Sequence, residues 1–294
     1  MTVELESRKE IAPTGASAFG TSQSVHEELG TLKAIANLWN LRNLTWLMVQ
    51  REFTARYKGS ILGSLWPVLN PIGHMALYTF LFSVILQVRF GSSLSMSNFA
   101  LYLMCGFLPW TAMSEALSSS STKILEMPNL VKRVVFPLEI LPLINTITSF
   151  LTGMIAIVLL CIFASIYQQT AHATMLLLPM IIIPQFLFTV GLSWLLSGLG
   201  VFIRDIRHFT ALFLSAWMYA TPIVYPADKI PENLQFLLWI NPVAGMVTDY
   251  RRLILEGTLP DMTSYLVYTS VSVILFVLGF KFFYSVKKSF ADVM

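Results

Sequence analysis

From Ile140 to Ile203 the chain runs for 64 residues without one Asp, Glu, Lys or Arg. A helix crosses the hydrocarbon of a bilayer in about 20 apolar residues. The run is therefore two crossings with a fold-back, and its most polar point, Tyr167-Gln168-Gln169-Thr170, is the turn. Backbone in lipid must satisfy its own hydrogen bonds, so the crossings are helices.

The remaining charges mark out further spans. There are 30 charge-free residues between Lys58 and Arg89, 25 between Arg89 and Glu115, 20 from His208 to Ala227 and 19 from Met262 to Phe280. Only 12% of the 294 residues are charged while 55% are hydrophobic, against about a quarter charged in soluble domains. Mean hydropathy is +0.68. The expected fold is an all-α integral membrane protein with six transmembrane helices, at about 65–88, 98–117, 139–166, 175–203, 208–226 and 263–284.

Lysine and arginine set the orientation. With the N-terminus in the cytoplasm, four of the 19 face outward (Arg89, Lys229, Arg251 and Arg252) and the other 15 lie on the inner side. Both termini are expected on the cytoplasmic side of the membrane. Residues 1–40 read as a disordered cytoplasmic tail; they are rich in Ser, Thr, Gly and Ala, and residues 1–30 have no apolar core of a signal peptide. Residues 41–290 form the transmembrane domain.

Three segments are not spans. Residues 41–61 place Leu44, Leu47, Met48, Phe53 and Tyr57 near one helical face, with Arg42, Arg51, Arg56 and Lys58 elsewhere. That pattern suits an amphipathic helix in the cytoplasmic headgroup plane, or else a plain basic flank that fixes topology. Gly59 and Gly63 let the chain turn steeply into the first span. The loop Ser118–Phe136 mixes Lys132-Arg133 with Ile124, Leu125, Met127, Leu130 and Val131, so it either docks on a cytoplasmic partner or packs on its own protein. The connection Pro226–Asp261 contains FLLWI (236–240) and VAGMV (243–247), too short to cross, broken at Asn241-Pro242. Short re-entrant helices that wall a pathway fit it, as does a surface loop with a small core.

Little in the chain suggests catalysis. His26, His74, His172 and His208 are scattered, without an HExxH or a His/Asp cluster, and no GxxxxGK[ST] phosphate loop exists. Cys105 and Cys161 lie in apolar runs and offer neither a disulfide framework nor a metal cluster. The net charge of +3 is too small and dispersed for a nucleic-acid face, so no nucleic-acid partner is expected. His74, inside a span, is either a functional ionisable group or a neutral histidine hydrogen-bonded to a neighbouring helix. Glu115 and Glu139, near span ends, have Lys123, Lys132 and Arg133 as nearby partners. No metal or cofactor is expected on this chain, and the energy for transport is expected to come from another one. Aromatic residues such as Tyr78, Trp110, Tyr219 and Tyr225 exceed what interface belts need; flat rings along a path also suit stacking on sugar rings.

Three motifs then carry a resemblance. The first is Arg51-Glu52 through Arg56-Tyr57-Lys58-Gly59-Ser60-Ile61-Leu62-Gly63, with Leu65-Trp66 and Asn70-Pro71. The second runs from Asn129 through Lys132-Arg133 and Phe136-Pro137-Leu138-Glu139 to Pro142. The third is Phe202-Ile203-Arg204-Asp205-Ile206, followed by Thr221-Pro222-Ile223-Val224-Tyr225-Pro226 and Asn241-Pro242. Together they resemble the membrane subunits of ABC-2 type transporters, in particular the polysaccharide and O-antigen export permeases.

The resemblance implies a half-transporter. A second copy would complete one channel, and two separate ATPase subunits, holding ATP and Mg, would drive it. Residues 43–58 would be the interface helix, with Arg51, Arg56 and Lys58 meeting the pyrophosphate of an undecaprenyl-pyrophosphate-linked glycan. The segment around Thr122–Leu130 would be the main coupling helix, with Lys123, Glu126, Asn129, Lys132 and Arg133 as contacts and Arg204 and Asp205 as a second site. The short runs in 226–256 would be gate helices. Tyr78, Trp110, Tyr219, Tyr225 and Trp239 would serve as channel and gate aromatics. Teichoic acid or small hydrophobic drug export by the same architecture, and a membrane-embedded polyprenyl-lipid transferase, are the competing readings.

Overall fold

The computed structural model describes residues 36–85, 96–133, 136–227 and 230–293. The tail up to residue 35, Arg89, Lys229 and the side chain of Arg133 lie outside the described residues. The chain divides into two compact units at Arg42/Asn43, and everything below concerns the second.

Every regular element among the described residues is helical. In chain order they are α1 (Arg42–Tyr57), α2 (Trp66–Thr79, continued by a π-helical turn Phe80–Ile85), α3 (Met96–Ser120), α4 (Pro128–Arg133) and α5 (Ile140–Gln168). There follow α6 (Pro179–Phe202), α7 (Ile206–Ala220), α8 (Phe236–Ile240), α9 (Pro242–Arg251) and α10 (Met262–Val286).

Six spans were expected; among the described residues the structure supports three. Ile140–Gln168, Ala173–Phe202 and Met262–Ser289 are the helices there that are both long and apolar enough to cross a membrane by length and composition. The reasons differ for the other three. The segment expected at 65–88 is a 14-residue α-helix that loosens into a π turn. Helix α3 has 25 residues, but Pro109, Thr111, Ser114 and Glu115 interrupt its apolar run. Helix α7 stops after 15 residues at Thr221, whose backbone is extended; at 1.5 Å per residue it is about 22 Å long, short of a hydrocarbon core about 30 Å thick.

The breaks follow local chemistry. The long run folds back at Gln169, which takes a left-handed conformation (φ 54°), where the sequence placed the turn. Gly59 (φ 86°) and Gly63 (φ 46°) turn the chain from α1 toward α2, in a region that costs a side chain but not glycine. The coupling segment is not one helix over 122–130. Ser119, Ser121 and Thr122 hydroxyls donate to the carbonyls of Glu115, Ser118 and Ser119. Turns then follow from Ser121 to Glu126, and α4 restarts at Pro128. Such short-range bonds compete with helix continuation, and proline is favoured at a first helical position.

Helix α6 packs along α10 through a glycine seam: a Cβ on Gly191 would overlap the Leu275 carbonyl, and one on Gly279 would overlap Gly191 itself. In lipid, helices associate by close van der Waals contact rather than by expelling water, so small residues at a seam do what leucines do in a soluble core. Trp194 fills the adjacent space; it is fully buried, flanked edge-on by Phe276 and Phe280, and its indole N–H donates to the Glu139 carbonyl at 2.9 Å.

Candidate functional site: the two ends of the helical bundle

One end of the bundle gathers the cations. Arg56 of α1 pairs with Glu115 of α3 and also donates to Asn145 (3.3 Å) and Ser149 (3.2 Å) of α5. Asn145 in turn donates to the Ala116 carbonyl at 2.9 Å and to Ser120 at 3.1 Å. Lys123 donates to Glu52 of α1 at 2.7 Å and is only 6% exposed. On the neighbouring helices, Lys287 pairs with Glu139 at 3.1 Å. The carboxylates therefore choose partners far along the chain. Glu115 takes Arg56 and Glu139 takes Lys287, in place of the nearby Lys123 and Lys132 expected from the sequence; the Arg133 side chain lies outside the described residues.

Between α1 and the segment that follows α3 lies a cleft of roughly 470 Å³. Arg51, Glu52, Lys123, Glu126 and Asn129 line it, over a floor that includes Leu141 and Ile144. Residues nominated separately as interface and coupling positions thus share one surface. Arg51, Lys58, Glu126, Asn129, Lys132, Arg204 and Asp205 are exposed; Glu126 accepts from Thr122 at 2.6 Å. Lys123 and Arg56 differ from these, because their charges are spent inside as struts between α1 and the bundle.

The opposite end holds the short helices. Asn241 caps α9 by accepting from the Val243 N–H at 3.1 Å, with Pro242 at the first helical position. The same side chain accepts from the Trp217 indole at 3.0 Å and donates to Thr221 at 2.8 Å. One asparagine so fixes the start of α9 to the end of α7, and the motifs Thr221-Pro222 and Asn241-Pro242 are two halves of one joint. The break between FLLWI and VAGMV falls where the sequence placed it.

Behind this joint sits Arg251, 3% exposed. Its guanidinium lies 3.5 Å from the Tyr102 ring centroid and donates to the Tyr102 carbonyl at 3.2 Å and the Ile223 carbonyl at 3.1 Å. Burial pulls its proton affinity below the ordinary arginine value. Asp249, also on α9, is 1% exposed and accepts from Tyr268 at 3.0 Å, with Arg252 at 3.7 Å. Burial pushes its carboxyl above the usual range, an effect opposed by the Tyr268 hydrogen bond.

The two ends and the charge-poor helices between them agree in sequence with known proteins. Residues 43–255 match the ABC-2 type transporter family. The chain is a member of that family. Among curated relatives, the O-antigen export system permease protein RfbA of Myxococcus xanthus is 30% identical over 263 residues, covering 89% of this chain and 99% of that protein. Two proteins of the same name from Klebsiella pneumoniae are 31% and 29% identical, each covering 90% of this chain and 100% of their own length.

For this ABC-2 chain, the nominated aromatics separate into three groups. Tyr219 and Trp239 are exposed, at 63% and 84%. Tyr225 is half-buried, its hydroxyl donating to the Tyr219 carbonyl at 2.6 Å, and Tyr78 lies half-buried in a row with His74, Phe82 and Phe107. Trp110 is 3% exposed and meets Trp217 edge-on at 5.6 Å inside the chain's own core, so its ring is not presented to a path. His74 bonds the carbonyl of Asn70 in its own helix at 2.9 Å rather than a neighbouring helix. Sequence reasoning missed Glu52, Asn145, Arg251 and Asp249. For Arg251 a signal existed: Asp249, Arg251 and Arg252 lie close together between the apolar runs VAGMV and LIL, at positions counted only as outer charges.

Proposed function

We propose that this chain is the channel-forming permease subunit of an ABC exporter that moves a lipid-linked, O-antigen-like polysaccharide across the inner membrane. A second copy completes the channel, and ATP is hydrolysed with Mg on separate nucleotide-binding subunits. The observation that carries this reading is the end-to-end similarity to three O-antigen export permeases, which covers 89–90% of this chain.

The cationic end is then cytoplasmic, and both termini are there. Glu126, Asn129, Lys132 and Arg133 contact the ATPase, with Arg204 and Asp205 as the second contact. Lys123 transmits the push to α1 through Glu52. Arg51 and Lys58 receive the pyrophosphate of the undecaprenyl carrier; exposed cations suit a phosphate group that arrives from the headgroup layer. Arg56, paired with Glu115, holds α1 to α3 and α5 while this happens. ATP-driven closure of the partner displaces residues 122–133, and α1 to α3 move as one body because the two ion pairs join them. At the other end α8 and α9 form the gate, with Tyr225 and Trp239 at its rim and Tyr78 and Tyr219 along the path.

Deleting the gene in its host tests this reading. Loss of the surface polysaccharide, with lipid-linked glycan accumulating inside, is the expected result. Unchanged surface polysaccharide would contradict it.

A further inference from the structure

A second cavity, of roughly 530 Å³, lies between α8, α9 and the first turns of α10. Its size falls in the range of small-ligand sites, about 300–1,000 Å³. One wall is Trp239, 84% exposed although it lines the cavity. Thr248, Asp249, Arg252 and Ser264 also line it. Asp249 is held by Tyr268 at 3.0 Å, and more loosely by the Asp261 N–H at 3.4 Å and Arg252 at 3.7 Å, so one of its oxygens keeps acceptor capacity. Gly245 lets α9 approach α10 closely beside the cavity, since a Cβ there would lie 2.6 Å from the Ser264 hydroxyl.

This is an unusual neighbourhood for a tryptophan that serves only as an interfacial anchor, which needs lipid and water but no converging polar groups. An aromatic plate beside a carboxylate, a guanidinium and two hydroxyls matches a sugar ring. The ring's C–H face is apolar, and its vicinal hydroxyls both donate and accept. A carboxylate accepts from adjacent hydroxyls and a guanidinium donates to them in a fork. Two carboxylates, Asp249 and Asp261, against one guanidinium, Arg252, leave the charged lining net negative, which favours a neutral sugar over an acidic one.

We propose that this cavity is a saccharide subsite that takes one neutral sugar ring of the emerging glycan, with Trp239 as its platform and Thr248, Asp249, Arg252 and Ser264 as its polar contacts. The proposal rests on the glycan-export reading and adds to it a sugar-binding station outside the path itself. It gives the polymer a weak hold at the gate, which opposes backsliding between ATP cycles.

Saturation-transfer NMR on the full chain in nanodiscs tests it, with neutral gluco-, manno- and galacto-configured trisaccharides as probes. At least one probe should give transfer, weakened about tenfold in affinity by Trp239→Ala and by the double change Thr248→Val with Ser264→Ala, the loss of about 1.4 kcal/mol. Trp239 is largely exposed, so its replacement leaves the fold intact; Trp39→Ala, at another exposed tryptophan, should change nothing. No transfer from any probe, or equal transfer in Trp239→Ala, overturns the subsite. A parallel assay of surface glycan in cells separates the two claims. Glycan that reaches the surface through a chain whose pocket binds no sugar removes the subsite and leaves the export reading standing. Surface glycan independent of the chain removes the export reading, and the subsite with it.

Discussion

Arg251 and Tyr102 are 149 residues apart in sequence, yet the guanidinium lies over the phenol ring, 3.5 Å from its centroid. A buried cation is costly to keep unless its donors are satisfied, and this one spends them on two carbonyls and a ring. Here it links α3, the turn after α7 and the end of α9. The neighbouring Gly106 leaves it room; a Cβ there would press on Val247 at 3.0 Å and on Arg251 at 3.3 Å.

Replacing Arg251 by Ala should free two buried carbonyls and open a void, at about 2–4 kcal/mol. Arg251→Lys should recover part of this, because an ammonium can keep one carbonyl but cannot stack in the same way. Unfolding in detergent mixtures, with proteolysis of residues 221–256 as a local readout, measures both.

The α6–α10 seam should tolerate no side chain. Gly279→Val should separate the helices and give aggregated protein by size exclusion, because the added atoms meet backbone rather than a mobile side chain. Gly73→Ala, where nothing lies within 4 Å, should be neutral or stabilising by up to about 1 kcal/mol. Equal behaviour of the two variants would remove the seam as a determinant of packing.

Asp249 predicts a pH dependence. Its folded-state pKa is raised, chiefly by burial, so the native state holds its proton more tightly than the unfolded chain, whose value is about 3.9. The stabilisation is fully present below that value and is lost as pH rises through the folded pKa. Asp249→Asn keeps a partner for Tyr268 and should flatten the stability profile from about pH 4 upward. A profile identical to the wild type would show that Asp249 does not cause it.

The pair Lys123–Glu52 predicts a coupling phenotype. Lys123→Glu alone should place two carboxylates together in a mostly buried site and uncouple ATP hydrolysis from export. The reversed pair, Lys123→Glu with Glu52→Lys, should restore part of it. Glu126→Ala and Lys132→Ala should uncouple without loss of stability, since both residues are exposed.

These contacts also show where sequence reading ends. Charge gaps located the long helices, and Gln169, Gly59, Gly63 and Asn241-Pro242 marked the turns, because each break has a local cause in backbone freedom or capping. The number of helices long and apolar enough to cross was overestimated, because counting charges ignores serine and ignores where a helix stops. Arg56–Glu115 and Lys287–Glu139 were not legible at all: they join positions 59 and 148 residues apart. A cation that obeys a topology rule looks the same in sequence as one that braces two helices. The segment 122–130 was read as one helix, since its apolar pattern outweighed the serines and Pro128 that break it.

Co-reconstitution of the chain with its ATPase partner tests the central claim most directly. The hydrolysis rate in proteoliposomes should rise on adding undecaprenyl-pyrophosphate-linked glycan, and the glycan should become accessible to a glycosidase on the far side in an ATP-dependent way. An ATPase that associates with the chain yet responds neither in rate nor in glycan accessibility would contradict the account.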